Sequence, residues 1–475
     1  MEKRARMNVP SPAVPQPPMP QRWSDLATIA RHAGTVLVGQ LAVMAFGITD
    51  TIVAGRHAEA SLAALSVASA IFLSISVGLV GVLQALLPVW AQLRGAQQNT
   101  RMGVSFRQSL YLGLLAAALG AAVLQHPEPL LAAAQVPALL HPMVGQYLGV
   151  LALALPLTLL FRLFSTLNQA IGHPRLITWI QVLALPLKVL LSVWWTFGGL
   201  GVPALGAVGC AWATLVVYAA MLSLAVWLSR TQEIYLPLHL WQRLERPDVL
   251  QLWRFLRLGV PAGLTVLVEV TSFTLMALFI ARQGTTAAGA HQIAANLAAV
   301  LYMVPLSLAI AASARISFWR GAGQEAHARH AALTGFGLVA LMACVLTVAV
   351  WGFKGSIASL YSEHPAVVAL AAQLLGWVAL YHLLDAVQCF CLFALRCYGI
   401  TVAPLLVYSV LLWCAGLGGG YALAYHGVGP WPAQPSAATF WISSGLALAL
   451  CAVAFAWMLW RCLERWGHKS PVSPR

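Results

Sequence analysis

The sequence holds 475 residues, 60% of them hydrophobic and only 8% charged, where an average soluble domain is about 25% charged. So little charge cannot cover the surface of a water-soluble chain of this length, which excludes a soluble enzyme and a disordered protein. The formal charge of +14 comes from 27 Lys and Arg against 13 Asp and Glu, and its cations sit in short segments between apolar runs, a membrane-topology pattern and not a nucleic-acid-binding face.

The chain opens on residues 1–27, where Pro10, Pro12, Pro15, Pro17, Pro18 and Pro20 accompany Lys3, Arg4 and Arg6. That composition predicts a disordered basic cytoplasmic tail. No short apolar core with a cleavage site precedes the first long run, so the first span is expected to direct insertion itself. Apolar runs then follow at 28–54, 62–90, 104–125, 143–165, 176–198, 207–229, 257–281, 288–314, 331–353, 366–394, 402–424 and 437–460. At about 20 residues per crossing, these predict an all-α polytopic membrane protein with twelve transmembrane helices. Residues 230–256 form a cytoplasmic linker between two six-helix bundles, 28–229 and 257–460, and residues 461–475 form a second cytoplasmic tail.

Cations fix the orientation. The loops expected outside carry only Arg56, Arg282 and Lys354, the inside segments carry 23 of the 27, and Lys188 is the single one assigned to the interior of a span. The positive-inside rule then places both termini in the cytoplasm of an inner-membrane protein. Trp194, Trp227, Trp253, Trp431 and Trp460 lie at span ends, as interfacial anchors do. The eight cysteines form no disulfide or zinc spacing; Cys389 and Cys391 point to different faces of one helix, and the set is expected to be small core residues.

The two halves echo each other at an offset of 226 residues: "IVAGRHAEASLAALS" at 52–66 aligns with "LFIARQGTTAAGAHQ" at 278–292, and "LRGAQ" at 93–97 with "WRGAG" at 319–323. Six spans per half give both halves the same orientation, so the repeat predicts two pseudo-symmetric bundles related by an axis along the membrane normal. Such an arrangement binds substrate between or within the bundles and exposes it alternately to each side.

Three carboxylates fall inside spans: Asp50 in the first, Glu269 in the seventh and Asp385 in the tenth. A charge at the bilayer centre costs about 2.5–3.5 kcal/mol on insertion scales, so these groups are expected to face a wet or partnered interior. Tyr381 lies one turn before Asp385 and Gln388 three residues after it; Thr265 precedes Glu269 by one turn, and Gln292 and Asn296 share a face of the eighth span. Together they are candidates to line one cavity in the second bundle. Glu269 and Asp385 are the candidate pair for a proton or a Na+ ion. A pair of this kind accepts either a small cation or an organic cation but not readily both, and that competition lets an inward ion gradient drive outward transport. In the first bundle Lys188 is placed to bridge to Asp50. His291 and His382, also within spans, are expected to be satisfied core residues. Pro186 and Pro261 lie near the charges, where broken or kinked helices line cavities.

At these residues the sequence resembles the MATE (multidrug and toxic compound extrusion) family, in its NorM-like branch, over residues 28 to 460. "GITDTIVAG" at 47–55 carries Asp50, "LPVWAQLRGA" at 87–96 resembles the segment closing the second span, and "VEVTSF" at 268–273 carries Glu269. "GAHQIAANL" at 289–297 and "YHLLDAVQ" at 381–388 complete the set, in the family's order. The resemblance implies a V-shaped cavity between the bundles and antiport of Na+ or H+ against organic, often aromatic, cations. It implies that Glu269 and Asp385 bind the coupling cation with Tyr381 close by, and that Asp50 is a functional carboxylate of the first bundle. No cofactor beyond the coupling ion is expected; the partners are small-molecule cations and membrane lipids, with no nucleic acid, and the protein is expected to be a monomer.

The chain departs from the family pattern at three places. Thr35 stands where an early first-span proline is common, Lys188 where a neutral or acidic residue is usual, and Arg396-Cys397-Tyr398-Gly399-Ile400-Thr401 replaces the usual segment after span ten. A lysine at 188 would occupy the charge of Asp50 and leave coupling to the second bundle. Two rival functions are a lipid-linked saccharide flippase, which would carry a strongly cationic cavity, and a polytopic membrane enzyme, which would cluster His, Asp or Glu in membrane-edge loops that here hold scattered arginines.

Overall fold

The computed structural model of the protein describes residues 22–133, 136–199, 201–430 and 432–467. Most of the two expected tails and the interfacial candidate Trp431 lie outside these residues. Among the described residues, twelve helical segments are long and apolar enough to cross a membrane, one for each predicted run. Helices are what such runs must form, because a spanning backbone in hydrocarbon has to satisfy every N–H and C=O internally.

The first half comprises α1 (Arg22–His57), α2 (Glu59–Gln84) continuing through a turn into α3 (Leu87–Gly95), α4 (Asn99–Gln125), the short α5 (Glu128–Ala133), α6 (His141–Ala170), α7 (Pro174–Phe197) and α8 (Ala207–Thr231). The second comprises α9 (Val249–Ala281), α10 (Thr285–Gly321), α11 (Glu325–Tyr361), α12 (Pro365–Cys397), α13 (Val402–Ser409), α14 (Gly419–Tyr425) and α15 (Ala437–Gly467). A π-helical stretch, Val410–Gly418, joins α13 to α14 within one span. Helices α7 and α9 run unbroken past Pro186 and Pro261. The exposed Trp194, Trp227, Trp253 and Trp460 lie at or near helix ends. All eight cysteines are free and six are buried.

The halves pack on one plan. In the first, α6 is the central helix, against α2, α4 and α8; in the second, α12 packs against α10, α11 and α15. Between halves, α2 lies on α9 and α1 on α10, again a repeat-related pair of contacts, while α3 crosses α10. That crossing rests on two glycines 226 residues apart in the sequence. A side chain on Gly95 would collide with the Phe318 carbonyl, and one on Gly321 with the Gln92 carbonyl. The arginines just before these glycines cap helix ends within their own halves: Arg94 donates to the Ala170 carbonyl of α6 at 3.4 Å, and Arg320 to the Cys397 carbonyl of α12.

The segment between the halves differs from the expected linker. Helix α9 begins at Val249, within the span expected to be linker, because Asp248 accepts hydrogen bonds from the Leu250 and Gln251 amides at 3.0 and 3.1 Å and caps its first turn. The rest lies as a strap on α4. Arg107 binds Glu245 and the His239 carbonyl, Gln108 reaches Arg246 O and Asp248 N at 3.0 and 2.9 Å, and the Tyr111 hydroxyl donates to Glu245 O at 3.0 Å. The Arg107 guanidinium holds the Glu245 carboxyl below its ordinary range.

Candidate functional site

Two of the sequence-selected carboxylates lie together in the second half. Asp385, on central helix α12, is 5% exposed and accepts a hydrogen bond from Gln388 Nε2 at 2.9 Å. Glu269, half-buried on α9, lies within electrostatic reach of Asp385, Tyr408 and Arg396. Tyr381 is buried one turn above Asp385 and feels both carboxylates. Neither carboxylate has an ion-pair partner within 4 Å among the described residues. Thr265 is buried, but its hydroxyl is spent on its own helix, donating to Pro261 O at 2.8 Å. Gln292 and Asn296 bond to each other at 3.0 Å on an exposed side of α10 and make no hydrogen bond to Glu269 or Asp385.

Several residues around the pair escaped the sequence reading. Tyr302, Cys389, Tyr408 and Arg396 all sense its charge. Arg396 stands three helical turns after Asp385, on the same face of α12, and that spacing was the available signal. Phe273, Tyr381 and Trp441 form a triangle of edge-to-face rings with centroids 5.8, 6.0 and 5.5 Å apart. Trp441 is fully buried and so is no interfacial anchor. The Trp413 indole donates to Val268 O at 3.2 Å, beside Glu269, from the π-helical stretch, a form of helix frequent at functional sites.

Buried polar atoms here lack partners. They include Gln388 Oε1, Arg396 Nη2 and Trp441 Nε1, while the Tyr408 hydroxyl lies within hydrogen-bonding reach of Glu269. The two span histidines differ from expectation: His291 Nδ1 and His382 Nε2 are also without hydrogen bonds. The His291 ring packs on Trp441 at 5.8 Å, so both imidazoles are buried but incompletely satisfied. Buried polar groups are nearly always paired; this cluster offers one spare acceptor, Gln388 Oε1, beside the two carboxylates, whereas Arg396 Nη2 and Trp441 Nε1 can only donate. Its carboxylate, amide and hydroxyl oxygens are hard donors of the kind that alkali cations and protons accept.

The first half is arranged oppositely. Lys188, fully buried on α7, lies 2.7 Å from Asp50 Oδ1. The Lys188 ammonium also donates to Cys210 O at 2.9 Å and to Thr214 Oγ1 at 2.7 Å, so its three donors are all used. Asp50 accepts a further bond from Ser192 Oγ at 3.0 Å. Asp50 borders a cavity of about 370 Å³ with Tyr147, Arg162, Gln181 and Tyr218. Arg162 lies within α6, two turns from its C-terminal end, so Lys188 is not the lone cation inside a span. Its place near a span end made it look like an ordinary inside charge.

A family model described as MatE matches residues 36–194 and 261–421, stretches that begin 225 and end 227 residues apart and so repeat the internal offset. A probable multidrug resistance protein NorM of Aromatoleum aromaticum is 38% identical over 90% of this chain and 92% of its own length. Multidrug resistance protein PmpM of Pseudomonas aeruginosa is 32% identical over 90% of this chain and 89% of its own. Among solved structures, the eukaryotic MATE transporter AtDTX14 superposes with a TM-score of 0.83 at 18% identity, over 94% of this chain and 99% of its own. The Vibrio cholerae MATE transporter VcmN in the bent form gives 0.82 at 18%, over 94% and 98%. Two matched halves, a shared fold and near full-length relatives place this chain in the MatE family, a family of membrane transporters and not of enzymes.

Proposed function

We propose that this transporter is a cation-coupled antiporter for multidrug efflux, in which Na+ or H+ moving inward drives the export of organic, often aromatic, cations. The observation that carries the reading is the contrast of chemistry at Glu269 and Asp385: two submerged carboxylates without an ion-pair partner, ringed by aromatic faces and orphaned polar atoms. A small cation neutralises the pair in one step of the cycle. An aromatic cation replaces it in the other, held by charge and by the ring faces of Phe273, Tyr381 and Trp441. Tyr381 and Gln388 orient Asp385; Thr265, Gln292 and Asn296 border the path of the cargo. Asp50 and Lys188 form a structural charge pair that takes no part in coupling.

The units that move are residues 28–229 and 257–460, joined by the strap that ends at the α9 cap, with the tails 1–27 and 461–475 and both termini in the cytoplasm of the inner membrane. The protein works as a monomer, binds no nucleic acid and needs no cofactor besides the coupling ion. One observation favours a lipid flippase instead: a basic cavity at the cytoplasmic end, described below. The bare carboxylates at the core favour cationic cargo over an anionic lipid.

The test is transport of a fluorescent organic cation in proteoliposomes, with a Na+ gradient and a pH gradient imposed separately. One gradient is expected to accelerate the flux and thereby name the coupling ion. If neither changes it, the antiport reading is wrong.

A further inference from the structure

One cavity stands apart from the carboxylate pair. It measures about 660 Å³ and lies between the halves at the arginine-rich end, lined by Arg31 of α1, Arg94 of α3, Arg175 of α7 and Arg315 of α10, with His32 and His173. No carboxylate lines it among the described residues. Asp25 answers Arg315 at 2.7 Å, and among the described residues Arg31, Arg94 and Arg175 have no acidic partner within 4 Å. Arg94 and Arg315 lie within repulsive reach of each other. The positive-inside rule accounts for arginines at this end of the molecule, but not for their convergence on one cavity.

Other features point to a ligand. His32 Nε2, which can carry a proton, is buried and unpartnered at the cavity wall. Burial first, and then Arg94, keep His173 below the ordinary histidine range, so at neutral pH it offers one N–H without adding charge. The wall at Trp179 opens outward: Trp179 is 64% exposed and heads a stripe of exposed Leu183, Leu187 and Leu190 along α7, the face an acyl chain would follow. The space falls in the size range of small-molecule sites.

We propose that this cavity is a binding site for a phosphate group, carried by an anionic lipid of the inner leaflet or by a soluble phosphate. Arginine guanidinium groups chelate phosphate oxygens in pairs, and here they come from both halves of the chain. A phosphate seated among them joins α1, α3 and α7 to α10 and holds the cytoplasmic side together. The inference rests on the orientation given above but not on antiport, since binding is read without transport.

The experiment uses the full-length protein in nanodiscs and in detergent. Retention of phosphatidylglycerol is compared with that of phosphatidylcholine by native mass spectrometry, and inorganic phosphate is titrated against thermal unfolding. Arg31 and Arg175 are exposed, so Arg31→Gln with Arg175→Gln removes two charges without opening the core. Arg243→Gln with Arg254→Gln, on exposed cytoplasmic residues outside the cavity, controls for surface charge. Preferential retention of phosphatidylglycerol, lowered roughly thirtyfold by the cavity pair and unchanged by the control pair, supports the lipid source. Stabilisation by inorganic phosphate alone, lost in the cavity pair, supports the soluble one. Equal retention of both lipids with no phosphate effect, or equal losses in the two variant pairs, overturns the proposal. Gradient-driven cation flux in the same preparations reports separately on the antiport reading.

Discussion

Asp50 and Asp385 are buried to nearly the same degree, 7% and 5% exposed, in halves built on one helical plan, yet their surroundings have opposite logic. Asp50 has Lys188 at 2.7 Å and a hydrogen bond from Ser192 at 3.0 Å, both at Oδ1. Asp385 has one amide and a neighbouring carboxylate. Nor do the charges follow the repeat: at the offset of 226, Asp50 falls on Met276, and Glu269 falls on Val43. The halves share a scaffold but not a charge pattern: one is electrostatically finished by Lys188, and the other is left open.

The comparison can be broken most directly at the open site. Asp385→Asn and Glu269→Gln keep the shape and remove the charge, and each is expected to abolish gradient-driven export, a fall of about a hundredfold or more, while insertion and unfolding temperature stay near wild type. Variants that pump at the wild-type rate would move the coupling site elsewhere. At the finished site the order reverses. Lys188→Met strands Asp50 in the interior and should lower stability by about 3–5 kcal/mol, seen as a drop in the thermal midpoint in detergent. Adding Asp50→Asn should restore most of that loss, with export retained. A double variant that folds but does not transport would show that the first half takes part in coupling.

A smaller effect sharpens the role of the aromatic triangle. Phe273→Leu removes one edge-to-face partner of Tyr381 and Trp441, at about 0.5–1.5 kcal/mol per pair. It should weaken apparent affinity for an aromatic cation by roughly two- to tenfold and leave that for an aliphatic cation unchanged; equal changes for both would deny the rings a role in recognition. The smallest effect lies outside the membrane, at the strap. Glu245 titrates below its ordinary value of 4.5 in the folded state because of Arg107. Its stabilisation is therefore present above the unfolded value and is lost as pH falls through the folded one. Its carboxylate is more than a third exposed, so solvent screening keeps the gain under about 1 kcal/mol. The midpoint difference between wild type and Glu245→Gln should shrink on acidification from pH 7 to pH 3, and a difference that holds constant would assign it to packing.

The helices were legible because hydrocarbon leaves an apolar run of this length one choice, and every run in the chain became a span. Depth within a span was enough to single out Asp50, Lys188, Glu269 and Asp385, and the Asp50–Lys188 bridge followed from the need to neutralise both. What stayed hidden depends on contacts between distant segments. Arg162 and Arg396 sit near the C-terminal ends of their helices, where a cation is ordinary, and only tertiary packing turns them toward buried groups. Trp441 shares its composition signal with true anchors such as Trp460; the difference is which side of α15 faces the bundle. The strap looked like a linker because its partners on α4 lie more than 130 positions away. The basic cavity looked like scattered loop charge for the same reason.

The crossing of α3 and α10 has a mechanical consequence. At Gly95 and Gly321 main chain rests on main chain, with no side chain between to flex or change rotamer. Because the two contacts are images of each other about one axis, prying the halves apart at this end unseats both together. Each half keeps its own arginine clasp, at Ala170 and at Cys397, as it swings away. A latch with two teeth on one pivot has no half-released position, so the molecule should switch between faces in a single snap, with little leakage on the way.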